Sequence, residues 1–502
     1  MLSCADPLWL AGKVSAGSLA VVCGDHHATF GELADRCRRL GRGLATLGLR
    51  PGDRVAVLAA NCHRYLEAHL AIPAAGLVVV PLNTRHAEPE LRYAVEHSGA
   101  RVLLTDRDPG SLAGIVEQVV DLPAGYEALL ARAGGDGGPG SGIGEDDLAA
   151  LFYTGGTTGR SKGVMLSHRN LVANSLHTLS ATGLDERDRY LIACPLFHVA
   201  GTSAVLSALW AGAAQVVVPA FEPRRVLDLV ERERVTVTLG VPTMVAALAD
   251  EQERDPRDVS SLRLLAHAGA PIAMDVLRRA HRAFPGCRLD HYYGATETAP
   301  MATALCHEER MLDRPRGRSC GQPAPGVEVR VVDPTGREVA PGQVGEVVVR
   351  GPNVMLGYWR DPEQTRLALR DGWYHTGDLG HRDREGFLFL VDRLKDMIVT
   401  GGENVYSTEV EDVLHGHPEV VEAAVFGVPD GRWGEAVHAV VVARGDVAPG
   451  ELIAHCREHL AGYKVPKAVE LRREPLPRSG PGKVLKRVLR EPYWAGHETR
   501  IV

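Results

Sequence analysis

The residues best suited to chemistry in this chain are in residues 153–163, YTGGTTGRSKG, where four glycines and three threonines surround Lys162. Such a loop is dense in backbone N–H groups that no side chain obstructs, and its hydroxyls and ammonium can follow phosphate oxygens. Two other readings compete: residues 159–163 fit the G-x-S-x-G pattern of a hydrolase nucleophile elbow, and Gly/Thr/Ser clusters are often plain surface turns. A Walker A loop needs lysine directly after its last glycine and then Ser or Thr, whereas Lys162 stands three residues after Gly159 and precedes Gly163. An elbow needs a strand running into its first glycine and a helix just after the serine. Here the strand-like Leu148–Thr154 ends well before Ser161, and residues 163–166 read as extended. A polyphosphate loop of another kind remains, with a surface turn as its alternative.

The elements that must position this loop are those of an α/β chain. Thr29 and Glu32 have capping-box spacing, and Leu33, Cys37, Leu40, Leu44 and Leu47 follow at alternating steps of four and three up to Gly48, which predicts an amphipathic helix. Residues 54–60 read as a buried strand, 62–75 as a helix, 77–81 as a strand and 101–106 as another, an alternation that argues for a largely parallel sheet. The glycine-rich stretch 134–144 contains a formal G-x-G-x-x-G, but no strand feeds it, and it reads as a surface loop. From Val327 the texture changes to hairpins: Val327, Val329 and Val331 alternate, residues 333–336 turn, and residues 345–349 return. The charge cluster at residues 392–396, DRLKD, reads as an exposed junction.

A chain of 502 residues exceeds what one core sustains, so two or more domains are expected. Apolar content of 45% with 24% charged residues is ordinary for a globular protein, and a net charge of -7 with no basic face disfavours nucleic acid. Nine scattered cysteines without a C-x-x-C pair suggest neither a disulfide framework nor a zinc site, which fits a reducing cytoplasm. The start MLSCADPLWLAG lacks a basic n-region, and the longest apolar run, near Leu70 to Leu82, is short and contains prolines, so neither a secretion signal nor a transmembrane segment is expected.

In order along the chain, the glycine/threonine stretch is joined by residues 195–201 (PLFHVAG), 269–271 (GAP), 293–297 (YGATE), 374–378 (YHTGD), 392–396 (DRLKD) and 482–483 (GK). With these motifs the sequence resembles the adenylate-forming superfamily, and within it the acyl-CoA synthetases, from about Thr29 to Arg490. Two departures are visible: Ser161 stands where the family usually has proline, and residues 479–481, SGP, replace a commoner Thr-rich lead into Gly482-Lys483. Neither removes a reacting group. The resemblance implies a large N-terminal domain, 1–392, with two α/β sheet subdomains and a small β-barrel-like subdomain, followed by a small mobile α+β C-terminal domain, 393–502, that carries the catalytic lysine. It also implies a ligase that activates a carboxylate with ATP to an acyl adenylate, releases pyrophosphate, and passes the acyl group to the thiol of coenzyme A.

Residue by residue, the resemblance makes Lys483 the cation bridging carboxylate and α-phosphate, where negative charge gathers during adenylation. Alone, Lys483 with Lys486, Arg487 and Arg490 would read as a solvated basic tail. Glu297, with Thr154, would hold Mg²⁺, a hard ion that takes oxygen ligands and bridges ATP phosphates. Thr154, Gly155, Gly156, Thr157, Thr158, Gly159 and Lys162 would cradle the phosphates, and Thr296 would contact one of them. Gly269, Ala270, Pro271, Tyr292, Tyr293 and Gly294 would belong to the cofactor-binding site, with Tyr293 stacking on adenine and His291 placed to bond its exocyclic amine. Asp378 would accept bonds from the ribose hydroxyls, Arg393 would hold the sugar or a phosphate, Lys395 would mark the hinge, and Gly401 and Gly402 would line the pantetheine tunnel. His198 falls between the phosphate loop and the acyl carboxylate; a packing histidine at a helix start is the plain alternative.

The acyl pocket implied by the resemblance comprises His198, Gly201, Gly240, Val241, Ala268, Gly294 and Ala295. Acetate-specific members carry tryptophan where this chain has Gly294, and malonate-specific members place arginines near the pocket, which these neighbourhoods lack. A medium- or long-chain fatty acid, or a bulky or cyclic apolar acid, is expected, because one methylene, worth about 1–3 kcal/mol, is not resolved by sequence. An acyl carrier protein as acceptor is the alternative to coenzyme A, and a non-catalytic nucleotide-binding module is the third class. A homo-oligomer is compatible with the sequence.

Overall fold

The computed structural model describes residues 3–133, 142–154, 161–478 and 484–495. The chain divides into two compact units, residues 1–329 with 349–375, and residues 330–348 with 376–502.

The first unit is built on two sheets. In the seven-stranded sheet the order is Gly357–Tyr358, Lys162–Ser167, Leu148–Thr154, Val78–Pro81, Arg54–Leu58, Val102–Thr105 and Gln118–Asp121. From Leu148–Thr154 to Gln118–Asp121 all neighbours run parallel, and Lys162–Ser167 adds antiparallel to Leu148–Thr154. The inner parallel strands are buried on both faces and read as apolar runs such as VVVP and VLLT, while the edge strand Gln118–Asp121 is largely exposed. The helix Phe30–Thr46 starts where the sequence places it: Thr29 accepts from the Glu32 amide, Glu32 returns a bond to the Thr29 amide, and Phe30, Leu33, Cys37, Leu40 and Leu44 form its buried face.

The nine-stranded sheet has the order Gln322–Pro323, Thr303–His307, Arg288–Tyr293, Leu264–Ala268, Val237–Gly240, Arg189–Ile192, Ala214–Val217, Leu19–Cys23 and His26–Thr29. Its centre is parallel and both edges are antiparallel. Leu265, Leu289, Leu277, Phe284 and Leu248 belong to one buried core on this sheet. Two buried side chains of the first sheet's neighbourhood tie into the second: the Asn61 amide donates to Cys194 O (3.0 Å) and its Oδ1 accepts from the Leu196 amide (2.8 Å), while the His69 ring bonds Leu196 O (2.9 Å).

The second unit has its own core of Val410, Leu414, Val425, Val437, Val441, Leu452 and Cys456 around a sheet ordered Glu403–Val405, Ile398–Thr400, Gly434–Ala443 and Val420–Asp430, with Ala468–Arg472 beside Gly434–Ala443. The expected mixture of large α/β and small α+β parts is therefore present, and residues 376–392 pack in the same compact unit as the later residues. The reason is physical. Asp392 is buried, not part of an exposed junction, and the Ser407 hydroxyl donates to its carboxylate at 2.9 Å, which binds the strand Leu388–Arg393 to the later residues. Only Arg393 and Leu394 of that cluster are exposed. All nine cysteines are free thiols, and among the described residues no helix is long and apolar enough to cross a membrane.

Candidate active site

The candidate residues of the first unit gather at the carboxyl ends of adjacent parallel strands. Gly240 closes Val237–Gly240, Ala268 closes Leu264–Ala268, Tyr293 closes Arg288–Tyr293, and His198 follows Arg189–Ile192. These four strands are neighbours in the sheet, and carboxyl ends of parallel strands are where α/β folds bind ligands. His198 is the N-cap residue of the helix Val199–Ala211, its ring 4.6 Å from that of Phe197, and the Asn61 and His69 bonds to residues 194–196 fix the approach to it.

A second group is assembled around the hairpin Leu148–Thr154/Lys162–Ser167, in which Thr154 pairs with Lys162 across the ladder. The Lys162 ammonium lies 4.8 Å from the Tyr358 ring centroid and donates to Gln364 Oε1 at 2.6 Å. Tyr358 donates its hydroxyl to Glu297 Oε1 at 2.9 Å, and burial together with this carboxylate pushes the phenol well above its ordinary range. Asn353, fully buried, donates to Thr298 O (2.9 Å) and Met301 O (2.7 Å), so the short 3-10 turn bearing Thr296 and Glu297 is held against the segment leading to Tyr358. Sequence reasoning missed Tyr358 and Gln364. The signal available for Tyr358 was weak, since only its antiparallel pairing with Val164 brings it beside Lys162. Glu297 has no basic partner among the described residues, and its carboxylate is oriented by a hydroxyl, a donor set that fits a hard divalent ion. Residues 155–160, which include Gly155, Gly156, Thr157, Thr158 and Gly159, lie outside the described residues, as does Lys483.

The strand Arg288–Tyr293 separates its candidates by face. Tyr292 donates to Asp290 Oδ2 (3.0 Å), which also pairs with Arg288 (2.8 Å), so the Tyr292 hydroxyl is engaged in a buried network. His291 points the other way, into a stack with His267 (4.7 Å between ring centroids) and His307 (5.9 Å) contributed by the strands on either side. Burial lowers His291 to about 4 and His307 to about 3, and pushes His267 well down, so the rings are neutral at pH 7. Their planes are within 14° of parallel. One ring nitrogen from each of the three lies within 4.8 Å of the others, and both nitrogens of His267 and of His307 are buried without a hydrogen-bond partner among the described residues.

Gly294 is a glycine for a local reason. A Cβ there would lie 1.9 Å from Pro300 O and 2.7 Å from Thr298 Oγ1, so the missing side chain admits the returning backbone instead of leaving open space for substrate. At Gly240, by contrast, a Cβ would meet only the Met244 side chain, at 3.2 Å or more.

In the second unit Asp378 pairs with Arg393 in the ladder between Trp373–Arg382 and Leu388–Arg393, and their side chains form an ion pair at 3.0 Å. The Asp378 side chain is 11% exposed and that of Arg393 is 45% exposed, so the carboxylate is held and the guanidinium remains accessible. Lys395 is 4.0 Å from Asp396. Gly401 and Gly402 form the two-residue turn between Ile398–Thr400 and Glu403–Val405, both with positive φ (61° and 85°), which is the geometry of a type I′ hairpin and a sufficient structural reason for the Gly-Gly pair. Lys486 is not the solvated tail residue its sequence context suggests: it is paired with Glu411 at 2.7 Å.

Comparison with known proteins places a family on this geometry. The AMP-binding enzyme family matches residues 10–359, and the AMP-binding enzyme C-terminal domain matches residues 409–483; the chain belongs to this family. It is 44% identical over 486 residues to feruloyl-CoA synthase from Amycolatopsis, covering 96% of this chain and 97% of that one. It is 36% identical to the fatty acid–[acyl-carrier-protein] ligase ScoC of Streptomyces coeruleorubidus, with 96% and 95% covered. Among solved structures, o-succinylbenzoate CoA synthetase from Bacillus subtilis, in complex with its acyl-adenylate intermediate, superposes with a TM-score of 0.89 at 33% identity, covering 97% of this chain and 98% of that one.

Proposed function

We propose that this protein is an AMP-forming acid–coenzyme A ligase that acts on an aryl or other bulky apolar carboxylic acid. The observation that carries this reading is the collinear 44% identity, through both domains, to a feruloyl-CoA synthase. An oxygen of the acid attacks the α-phosphorus of ATP, pyrophosphate leaves, and the acyl adenylate forms. The thiol of coenzyme A then loses its proton and its sulfur attacks the acyl carbon, expelling AMP and leaving the thioester. A carboxylate resists nucleophiles because of its charge, and adenylation supplies the leaving group it lacks. No protein nucleophile is required, because coenzyme A brings a thiol with a pKa near about 8.5.

The chain's residues bind and orient. Lys162 and the threonine-rich loop follow the phosphates, Lys483 neutralises charge developing between carboxylate and α-phosphoryl group, and Asp378 with Arg393 receives the ribose hydroxyls. His291, neutral because it is buried, offers a lone pair to the exocyclic amine of adenine. Glu297, aimed by the Tyr358 hydroxyl, and Thr154 would hold Mg²⁺, which when bound neutralises phosphate charge. His198, Gly240, Val241 and Ala268 line the acid's side of the strand ends; small side chains and the absence of arginine among them favour an uncharged, bulky acyl group. A second reading, transfer to an acyl carrier protein, is favoured only by the likeness to ScoC.

The test is a panel of acids, including cinnamates, benzoates and fatty acids of increasing length, assayed for pyrophosphate release with and without coenzyme A. The expected result is thioester formation with free coenzyme A and at least about a tenfold preference in kcat/KM for ring-bearing acids, the size of discrimination an apolar pocket supports. Release of pyrophosphate that depends on a carrier protein would favour the second reading, and a preference for acetate or malonate would contradict the pocket.

A further inference from the structure

The second unit contains a buried charge network that ties the residues just after Lys483 to the strand bearing Asp392 and Arg393. Lys486 opens the helix Lys486–Trp494, three residues after Lys483 in sequence. Its ammonium donates to Ser407 Oγ at 2.6 Å and pairs with Glu411 Oε1 at 2.7 Å; the two charged side chains are 17% and 15% exposed. The Ser407 hydroxyl donates in turn to Asp392 Oδ2 at 2.9 Å, with the Ser407 amide on the same carboxylate. Asp392 Oδ1 accepts from the Arg393 amide at 2.7 Å, and Arg393 pairs with Asp378 at 3.0 Å. Glu411 also accepts from the Val425 amide at 2.7 Å, which fixes it to the unit's central sheet. The flanks of residues 479–483 are fastened as well: the Leu485 amide donates to Pro477 O at 2.7 Å, and Arg478 and Val484 form a β-bridge.

One lysine here serves two buried carboxylates. Burial pushes Asp392 and Glu411 up and Lys486 opposes it, so without the ammonium the two acids would flank Ser407 with no other cation bonded to them among the described residues. A network in which every member is bonded is rigid, and loss of the Lys486 ammonium loosens the part that joins Glu411, Ser407 and Asp392. The geometry points to a latch: we propose that Lys486, through Ser407 and Glu411, is a positioning residue for adenylation that holds the chain following Lys483 in register with the Asp392–Arg393 strand and its Asp378 partner. This rests on the proposed function, in which Lys483, Arg393 and Asp378 act on ATP.

The experiment compares wild type, Lys486→Met, Lys486→Arg and Ser407→Ala in the two half-reactions, ATP–pyrophosphate exchange and conversion of pre-formed acyl adenylate to thioester, with Tm measured for each. Lys486→Met should lose about tenfold or more in exchange, the usual effect of removing a supporting partner, while thioester formation stays within about twofold. Lys486→Arg, which keeps the charge, should restore exchange to within about threefold of wild type, and Ser407→Ala should fall a few-fold in the same direction. A purely structural role would lower Tm and depress both half-reactions alike, and that result overturns the proposal, as does unchanged exchange in Lys486→Met. If Lys486→Met does not fold, the half-reaction split of Ser407→Ala and the retention in Lys486→Arg decide. Absence of exchange in the wild type with every acid would remove the functional reading and the positioning role together, whereas normal wild-type exchange with an indifferent latch removes only the latter.

Discussion

Lys483→Ala is expected to lose adenylation by two decades or more while still converting supplied acyl adenylate to thioester. Removal of one preorganised electrostatic partner at a transition state costs about 10²–10³ in rate, and an ammonium bridging carboxylate and α-phosphoryl oxygens acts only while charge gathers there. Once the adenylate exists, that charge has left with pyrophosphate, and the second half-reaction needs only the thiolate and the AMP leaving group. ATP–pyrophosphate exchange should therefore collapse and thioester formation from synthetic acyl adenylate should persist. Equal loss in both would show that Lys483 has a different role and would return it to the plain reading of a basic tail.

Stability should fall steeply in mild acid. His63 and His307 are lowered by burial to about 3, and His69, His168 and His291 to about 4. In each, the folded value lies below the unfolded one near 6.5, so the stabilisation is complete above about pH 6.5 and is lost as pH falls through that value toward the folded one. A single histidine with a folded pKa near 4 forfeits about 2 kcal/mol by pH 5. Five such groups approach the whole stability of a domain, about 5–15 kcal/mol. Four buried carboxyls raised by burial, Glu67, Asp290, Asp392 and Glu411, act in the opposite sense and reduce the slope. Tm recorded from pH 7.5 to 5.0 should drop monotonically, with unfolding setting in near pH 5. A Tm that holds constant over that range would mean the imidazoles are reached by water or bonded in their charged form.

Local signals in the sequence located local structure well. The capping box at Thr29 and Glu32 begins the helix at Phe30, and the apolar run Leu148–Thr154 is a strand over that whole span, because cap chemistry and buried parallel strands are written in neighbouring residues. What distance hides is pairing. Tyr358 meets Glu297 and Lys162 only because Gly357–Tyr358 adds to the edge of a strand nearly two hundred residues earlier, and a lone aromatic after glycine carries no mark of that. The DRLKD cluster misled for a similar reason: charge suggests exposure, yet Ser407 and Lys486 supply partners that let Asp392 be buried. At Gly294 the absent side chain accommodates a close approach of the Pro300 carbonyl, a contact that pattern alone does not reveal. The histidine stack was also invisible, because His267, His291 and His307 meet only through strand register.

In the proposed reaction the carboxylate itself attacks the α-phosphorus of ATP. Oxygen-18 in both carboxylate oxygens of a turned-over acid tests it most directly, with the nucleotide and phosphate products analysed by mass spectrometry. The expected products are AMP that carries one labelled oxygen, unlabelled pyrophosphate and no ADP. Label in inorganic phosphate with ADP as the nucleotide product, or AMP free of label, would contradict it.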